Sequence, residues 1–371
     1  SYTGHLGGTL WVFTLSIFLF RYLLDKEKYL LFRFIFWLIV PTALSLSLWF
    51  TENNQQNNID VVIVQPNIDP YSEKFGSLTG MDQLNKMLEL AEQKIDSNTD
   101  LLLLPETSLV GGLQEDVIEN AELIMAIREW MKAYPNLKIL AGADTYVFYP
   151  NEGASVTARK SKGGDYYYDV YNSALFIETG KAIQIYHKSK LVPGVERMPY
   201  PGIFGFLEKW AINMGGTSGS LGVQDDSEVF VDNQNRSFAP VICYESVFGD
   251  YLSTYIRKGA QLICVITNDG WWGNTPGYRQ HLSYAKLRAI ESNRYVVRSA
   301  NTGISGMIDN KGNSYDLTPY WEEAVIKVNV PLIDEKTFYS QAGDYIGKMA
   351  SMIAVLVFIS TLVRRKTYKG Y

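Results

Sequence analysis

The sequence predicts an α/β domain flanked by transmembrane helices. Between residues 59 and 344, apolar segments of strand length alternate with amphipathic segments of helical length. This alternation is typical of α/β domains with buried strands. Outside this region lie three apolar stretches, each close to the roughly 20 residues that a helix needs to cross the hydrocarbon core. A chain of 371 residues is long enough for one such domain together with these helices.

The three apolar stretches cover residues 6–24, 29–50 and 345–363. A polar tract at 51–58 follows the second stretch, and its lack of apolar periodicity predicts a flexible tether. The chain is therefore predicted to consist of two transmembrane helices (1–50), a polar linker (51–58), the α/β domain (59–344), and a third transmembrane helix with a basic tail (345–371). A buried core helix is the alternative for each stretch, and the basic tail disfavours it most for the third.

Basic residues cluster at two places, around the connection between the first two predicted spans and directly after the third, and they predict an orientation. Lysine and arginine are enriched on the cytoplasmic side of membrane proteins, so the first connection and the tail are predicted to be cytoplasmic. The α/β domain, between the second and third spans, would then lie on the outer side. The residues concerned are Arg21, Lys26, Lys28, Arg33, Arg364, Arg365 and Lys366.

Within the domain, short apolar runs predict buried strands, and apolar residues three to four apart predict helices. Leu84, Leu88 and Ala91, for example, share one face of a predicted helix. The predicted strands are, in order, 60–65, 101–104, 139–143, 174–177, 241–243, 262–267 and 295–300. The predicted helices are 81–97, 117–132 and 281–294.

Several classes of function are disfavoured by composition and by missing motifs. The net charge of −5, without a clustered basic face, argues against a nucleic-acid partner. Two cysteines, Cys243 and Cys264, exclude a disulfide framework. The sequence has no His-Glu-x-x-His or paired Cys-x-x-Cys metal motif, no nucleotide-binding glycine loop and no Gly-x-Ser-x-Gly elbow. His187 and His281 have no acidic residue beside them that would orient an imidazole, so a structural or surface role is favoured for both.

Three residues of reactive type follow predicted strands, where α/β folds place their chemistry. Glu106 follows the strand 101–104, and desolvation there is expected to raise its pKa toward that of a general base. Lys188 follows an apolar segment, and Cys243 ends the strand 241–243. Taken singly, a surface acid, a solvated lysine and a core thiol remain open alternatives. Cys264 lies inside an apolar run and is predicted to be buried and structural.

Taken together, the three residues resemble the motifs of the carbon–nitrogen hydrolase (nitrilase) superfamily. Pro105-Glu106 is similar to its Glu motif, Tyr-His-Lys at 186–188 to its Lys motif, and Cys-Tyr-Glu at 243–245 to its Cys-x-Glu motif. The resemblance implies an αββα sandwich and a nitrilase-like catalytic domain with a Glu-Lys-Cys triad. Within the superfamily, four further features resemble the apolipoprotein N-acyltransferases. They are the opening Val-Gln-Pro-Asn-Ile at 64–68, the loop Leu-Val-Pro at 191–193 followed by Glu196, the segment Thr-Asn-Asp-Gly-Trp-Trp-Gly at 267–273 followed by His281, and the flanking spans.

This resemblance implies an acyltransferase of the bacterial inner membrane with its catalytic domain on the outer side. A phospholipid would donate the acyl group, a diacylated prolipoprotein would accept it, and no metal or other cofactor would be needed. Glu106 would act as base, Cys243 as nucleophile through a thioester, and Lys188 with the backbone N–H after Cys243 would stabilise the oxyanion. The implied supporting residues are Glu245, Glu196 and Tyr244, and the implied substrate-binding residues are Phe75, Trp271 and Trp272.

The sequence departs from the family at three points. It has Gly194-Val195 before Glu196 where Phe-Gly is usual, which leaves that loop's shape open, and Phe75 where a tryptophan is common. The family carries eight spans, so the resemblance implies that five precede this chain. A membrane-tethered amidase, a non-catalytic lipoprotein-binding relative and a transporter subunit are the alternatives. Retention of all three triad residues disfavours the second, and the size of the polar domain disfavours the third.

Overall fold

The computed structural model describes residues 2–50, 57–149, 155, 157–161, 166–197 and 221–367. The chain forms two compact units, one of residues 1–54 with 336–371 and the other of residues 55–335. Most of the predicted linker, residues 51–56, lies outside the described residues.

The helices are α1 (Gly4–Asp25), α2 (Lys28–Phe50), α3 (Gly80–Glu92), α4 (Glu122–Trp130), α5 (Gly249–Arg257), α6 (Gly277–Ser292), α7 (Phe338–Ala342) and α8 (Tyr345–Thr367). The strands are β1 (Asn58–Gln65), β2 (Leu101–Leu103), β3 (Leu109–Gln114), β4 (Lys138–Tyr149), β5 (Arg159–Lys160), β6 (Tyr167–Glu178), β7 (Gln184–His187), β8 (Phe230–Val231), β9 (Ser237–Ile242), β10 (Leu262–Thr267), β11 (Val296–Ala300), β12 (Gly306–Ile308), β13 (Ser314–Tyr315) and β14 (Ala324–Pro331).

All three predicted spans form helices in the first unit. α1, α2 and α8 are long and apolar enough to cross a membrane. Large apolar side chains such as Phe13, Phe32 and Phe358 are exposed on them, as expected where lipid replaces water.

Helix α2 contains a proline whose effect is compensated by α1. Pro41 has no N–H, so the carbonyl of Trp37, four residues earlier, has no donor within the helix. The indole Nε1–H of Trp11 donates to that oxygen across 2.6 Å. An unsatisfied carbonyl is costly in hydrocarbon, so this bond stabilises the pairing of α1 and α2 where the proline interrupts α2.

The described residues of the second unit form two sheets. The first has the order β14-β1-β2-β4-β6-β5, with β3 paired to β4 and β7 paired to β6. Its strands β1, β2 and β4 are parallel. The second sheet has the order β13-β12-β11-β10-β9-β8, and its strands β9, β10 and β11 are parallel. Each sheet therefore brings the carboxyl ends of its central parallel strands to one edge.

Strand β1 shows how the layers are built, because its side chains alternate between two cores. Val62 and Val64 belong to the core under α3 and α4. Val61 and Ile63 belong to the core shared with the second sheet, whose far side is covered by α5 and α6. The order helix, sheet, sheet, helix confirms the predicted αββα sandwich. Strands buried on both faces explain the continuous apolar runs in the sequence.

Several predicted elements differ from the structure in extent. The predicted helix 81–97 ends at Glu92, and the predicted strands 139–143 and 174–177 are parts of the longer strands β4 and β6.

Two other elements are interrupted or end differently. The predicted helix 117–132 is a short 3₁₀ helix, Glu115–Asn120, followed by α4. The two are separated at Ala121, whose backbone is extended (φ −68°, ψ 138°). The predicted strand 241–243 ends at Ile242 instead. Cys243 begins a 3₁₀ helix, Cys243–Val247, with φ 49°, so the chain turns sharply at the thiol.

Candidate active site

The three predicted triad residues come from the ends of different strands. Glu106 follows β2, Lys188 directly follows β7, and Cys243 directly follows β9. β2 and β9 are parallel members of the first and second sheets respectively. All three side chains are buried.

Lys188 is the centre of the site. Its Nζ donates to Oε1 of Glu106 at 3.0 Å and to Oε1 of Glu196 at 2.8 Å, and the residue is 1% exposed. Burial alone would lower the pKa of Lys188, but the carboxylates of Glu106 and Glu196 outweigh it and hold that pKa well above its usual value. A buried ammonium with two acidic partners is therefore fixed in place.

Glu106 is a carboxylate and not a protonated acid. Besides Lys188, its Oε1 accepts from Nδ2 of Asn172 at 2.8 Å, and its Oε2 accepts from the backbone N–H of Asn268 at 3.0 Å. The expectation of a raised pKa for Glu106 is wrong. Burial does act to raise it, but the charge of Lys188 and the bond from Asn172 outweigh burial, and the pKa of Glu106 is lowered.

Cys243 is a buried thiol on a strained backbone. Its positive φ is uncommon for a residue with a side chain. Burial and the charge of Glu106 raise the pKa of the Cys243 thiol above its ordinary value, against a smaller lowering effect of Lys188. In the resting site a thiol thus lies within electrostatic reach of a carboxylate and an ammonium. Such a set can supply a nucleophile, a proton acceptor and a cationic stabiliser of a developing oxyanion.

The two predicted supporting glutamates have different partners. Glu196 contacts Lys188 directly, and its Oε2 accepts from the backbone N–H of Val192 at 2.7 Å. It thereby closes the loop whose sequence departs from the family pattern. Among the described contacts, Lys188 is hydrogen-bonded to Glu196 and not to Glu245.

Glu245 instead joins the chain around Lys188 to the chain around Cys243. Its Oε1 accepts from the hydroxyl of Tyr186 at 2.6 Å and from the N–H of Ser189 at 2.7 Å, and its Oε2 accepts from the N–H of Ile242 at 2.9 Å. Burial raises the pKa of Glu245 to about 7. Because Glu245 bonds the residues next to Lys188 and Cys243, it can fix the distance between these two side chains.

The predicted aromatic residues lie at different places around the site. The half-buried ring of Tyr244 packs edge-on against Phe248, with centroids 5.1 Å apart. Trp271 packs against Tyr71 at 5.3 Å. Trp272 packs against the imidazole of His281 at 5.3 Å and is 38% exposed. The side chain of Phe75 lies outside the described part of the structure.

Several residues of the site were not predicted from the sequence. Asn172 bonds both Glu106 and Glu196, and no local pattern marks it. Asn268 lies in the segment 267–273, so that motif is the signal that was available for it. Lys74 donates to the backbone oxygen of Glu106 at 3.0 Å, and burial lowers its pKa to about 8.

The expectation that both histidines lack acidic partners is wrong. Nδ1 of His281 lies 2.9 Å from Oδ1 of Asp269, and Nε2 of His187 lies 2.7 Å from Oε1 of Glu115. Glu115 is 72 residues from His187, so only the fold brings them together. Among the described residues, no group of three or more His, Cys, Asp or Glu side chains is arranged to hold a metal ion.

Comparison with known proteins gives a consistent family. The carbon-nitrogen hydrolase family matches residues 60–337. The apolipoprotein N-acyltransferase of Chlorobaculum tepidum is 30% identical and is aligned with 98% of this chain and 69% of its own length. That of Thermotoga maritima is 27% identical, with 98% and 63% covered. The chain thus spans about two thirds of the length of these curated relatives.

Solved structures match the fold at low identity. Nit3 of Saccharomyces cerevisiae, a member of branch 10 of the nitrilase superfamily, is 16% identical with a TM-score of 0.52, covering 76% of this chain and 93% of Nit3. A mutant amidase of Nesterenkonia AN1 from the same superfamily is 14% identical with a TM-score of 0.50, covering 81% and 99%. At such identities the likeness concerns the fold alone.

Proposed function

Because the chain belongs to the carbon–nitrogen hydrolase family, and within it to the apolipoprotein N-acyltransferases, we propose that it transfers a fatty acyl group from a phospholipid to a lipoprotein. The acceptor is the α-amine of the diacylglyceryl-cysteine at the lipoprotein's amino terminus. The observation that carries the proposal is the buried Lys188 ammonium, held by Glu106 and Glu196 within electrostatic reach of the Cys243 thiol.

In the first half-reaction, the Cys243 sulfur attacks the ester carbonyl of the phospholipid. Glu106 takes the thiol proton as the S–C bond forms, because the free thiol has too high a pKa to ionise by itself. The Lys188 ammonium and the N–H of Tyr244 stabilise the tetrahedral oxyanion. The C–O bond then breaks, Glu106 returns the proton to the leaving alkoxide, and lysophospholipid departs from a thioester at Cys243.

In the second half-reaction, the α-amine of the lipoprotein attacks the thioester. Glu106 accepts a proton from the amine, the same oxyanion donors act again, and the C–S bond breaks. Glu106 then returns that proton to the sulfur as the amide leaves, which restores the thiol and the carboxylate. Conversion of a thioester to an amide is downhill, so no additional energy source or cofactor is required.

Loading of the enzyme by phospholipid alone tests this proposal. A nucleophilic cysteine with two successive substrates implies ping-pong kinetics and an acyl-enzyme that outlives the first product. Incubation with phospholipid is expected to add the mass of one fatty acyl group to Cys243, in a bond labile to neutral hydroxylamine. A diacylated lipopeptide with a free α-amine then discharges it into a triacylated peptide, measured by mass spectrometry.

Two controls make the loading experiment decisive. A lipopeptide with a blocked α-amine should leave the acyl-enzyme intact. The substitution Glu106→Gln should suppress loading, because an amide cannot accept the thiol proton. Release of free fatty acid independent of the peptide would instead identify a hydrolase of the amidase kind, and normal loading of the Glu106→Gln variant would show that the base lies elsewhere.

We also propose that the catalytic domain lies on the outer side of the bacterial inner membrane and that the chain crosses it several times. Lys26 and Lys28 support this, because they are exposed at the connection between α1 and α2. A cysteine replacing Asn54, in a chain whose own cysteines are alanine, should react with an impermeant thiol reagent outside intact cells. One replacing Lys369 should react only after the membrane is opened, and the reverse pattern would refute the orientation.

A further inference from the structure

The backbone carbonyl of Cys243 accepts hydrogen bonds from two side chains. The hydroxyl of Ser246 donates to it at 2.8 Å, and Nε2 of His281 lies 2.9 Å from it. This carbonyl belongs to the same peptide group as the N–H of Tyr244. That N–H lies in the first turn of the helix Cys243–Val247, where N–H groups have no acceptor within the helix.

His281 is itself held by a buried ionic network. Its Nδ1 lies 2.9 Å from Oδ1 of Asp269, and Oδ2 of Asp269 accepts from Nη2 of Arg298 at 2.7 Å. Arg298 also donates through Nη1 to the carbonyl of Ile304 at 3.0 Å. His281, Asp269 and Arg298 are each at most 2% exposed. Burial acts to raise the pKa of Asp269, but Arg298 and His281 outweigh it and lower that pKa to about 2, so Asp269 is a carboxylate.

The contacts of Nε2 determine where one proton of His281 lies. Nε2 has two neighbours, the carbonyl oxygen of Cys243 at 2.9 Å and Oγ of Ser246 at 2.8 Å. The carbonyl cannot donate, and the one hydroxyl hydrogen of Ser246 is directed at that same carbonyl. Both neighbours are therefore acceptors toward Nε2, which must carry a hydrogen. This holds whether or not Nδ1 is also protonated. The cysteine's carbonyl therefore accepts two hydrogen bonds, one of them from a ring that Asp269 orients.

We propose that His281, oriented by Asp269 and Arg298, is a positioning residue that fixes and polarises the peptide between Cys243 and Tyr244. Hydrogen bonds to an amide oxygen strengthen the N–H of the same amide as a donor, because bonds in a chain polarise one another. They also hold Cys243 in its positive-φ conformation, which costs energy unless the surroundings impose it. The inference rests on the proposed function, which assigns the N–H of Tyr244 to the oxyanion.

Two reactions of one thiol separate this role from a purely structural one. Acylation of Cys243 by p-nitrophenyl butyrate passes through a tetrahedral oxyanion, whereas alkylation by iodoacetamide displaces iodide and forms none. Both are measured on the full chain in detergent, with Cys264→Ala so that one thiol reacts. His281→Phe is expected to slow acylation by about 10- to 100-fold and to change alkylation by less than about threefold.

Conservative variants keep the test independent of any folding defect in His281→Phe. His281→Gln places an amide N–H where Nε2 lies, so it should recover part of the acylation rate, while the shorter His281→Asn should not. Ser246→Ala removes the other bond to the same carbonyl and should also slow acylation selectively.

Failure of this inference and failure of the proposed function give different results in these experiments. Parallel losses of acylation and alkylation, or no loss of either, would overturn the inference. If the wild-type chain accepts acyl groups from the nitrophenyl ester but never from phospholipid, the proposed function fails. The ratio of the two rates in the His281 variants then still decides whether the peptide is polarised.

Discussion

Replacement of Cys243 by alanine is expected to lower acyl transfer by more than about 10⁴-fold, since removal of a catalytic nucleophile leaves only the contributions of binding and oxyanion stabilisation. The substitution removes one sulfur atom from a residue that is 8% exposed. Alanine also has a Cβ, so the backbone strain at φ 49° is nearly unchanged. Transfer to a lipopeptide and mass-spectrometric detection of the acyl-enzyme measure the effect.

Cys264→Ala is the matched control for this prediction. Cys264 is a fully buried free thiol in β10, and it belongs to the core shared by the two sheets. Its loss should leave a small cavity that lowers the free energy of unfolding by about 1 kcal/mol, with little effect on transfer. A Cys243→Ala chain that retains a sizeable part of the wild-type rate would rule out a thioester at that residue.

The substitution Lys188→Arg is expected to lower transfer by about 10²- to 10³-fold even though the charge is kept, because it displaces an oxyanion donor. The ammonium occupies a site that is 1% exposed and is bounded by Glu106 and Glu196. A guanidinium is larger and planar, so it cannot meet both carboxylates from that position and still face the oxyanion. Acyl-enzyme formation from phospholipid, with folding checked by circular dichroism, gives the result.

Lys190→Arg is the control two residues further along the chain. The Lys190 ammonium lies 4.7 Å from the ring centroid of Tyr251, and an arginine can make the same contact with an aromatic face. The backbone N–H of Lys190, which lies 3.3 Å from Oε1 of Glu245, is unaffected. Transfer should therefore stay near the wild-type rate, and equal losses in the two variants would mean that Lys188 has no special role.

Glu196 and Glu245 support the site in different ways, so substitutions of the two residues should have different effects. Glu196 and Glu106 both form ion pairs with Lys188. Substitution of Glu196 therefore removes one of the two negative charges that stabilise the Lys188 ammonium. Glu245 bonds the N–H groups of Ser189 and Ile242, so its loss acts on the distance between Lys188 and Cys243. Both glutamates support the site, but by different physical means.

Local patterns in the sequence were sufficient for the fold class, the three membrane-length helices and most strands. A buried strand needs apolar residues on both faces, so β2 and β10 appear as continuous apolar runs. Membrane-length helices are equally visible because lipid exposure demands an apolar surface along the whole helix. Local patterns placed Glu106, Lys188 and Cys243 after apolar segments, but only the resemblance of their motifs, in this order, to those of the nitrilase superfamily singled them out as a set.

Only the tertiary structure decided which residues far apart in the chain are in contact, and which protonation states those contacts favour. Asn172 meets Glu106 across 66 residues, and Lys188 meets it across 82. Burial beside an apolar run predicts a raised pKa for Glu106, but the net direction depends on a cation whose distance no local pattern contains. The partners of His281 and the turn at Cys243 could not be predicted either, because both depend on how α6 packs against the ends of the strands of the second sheet.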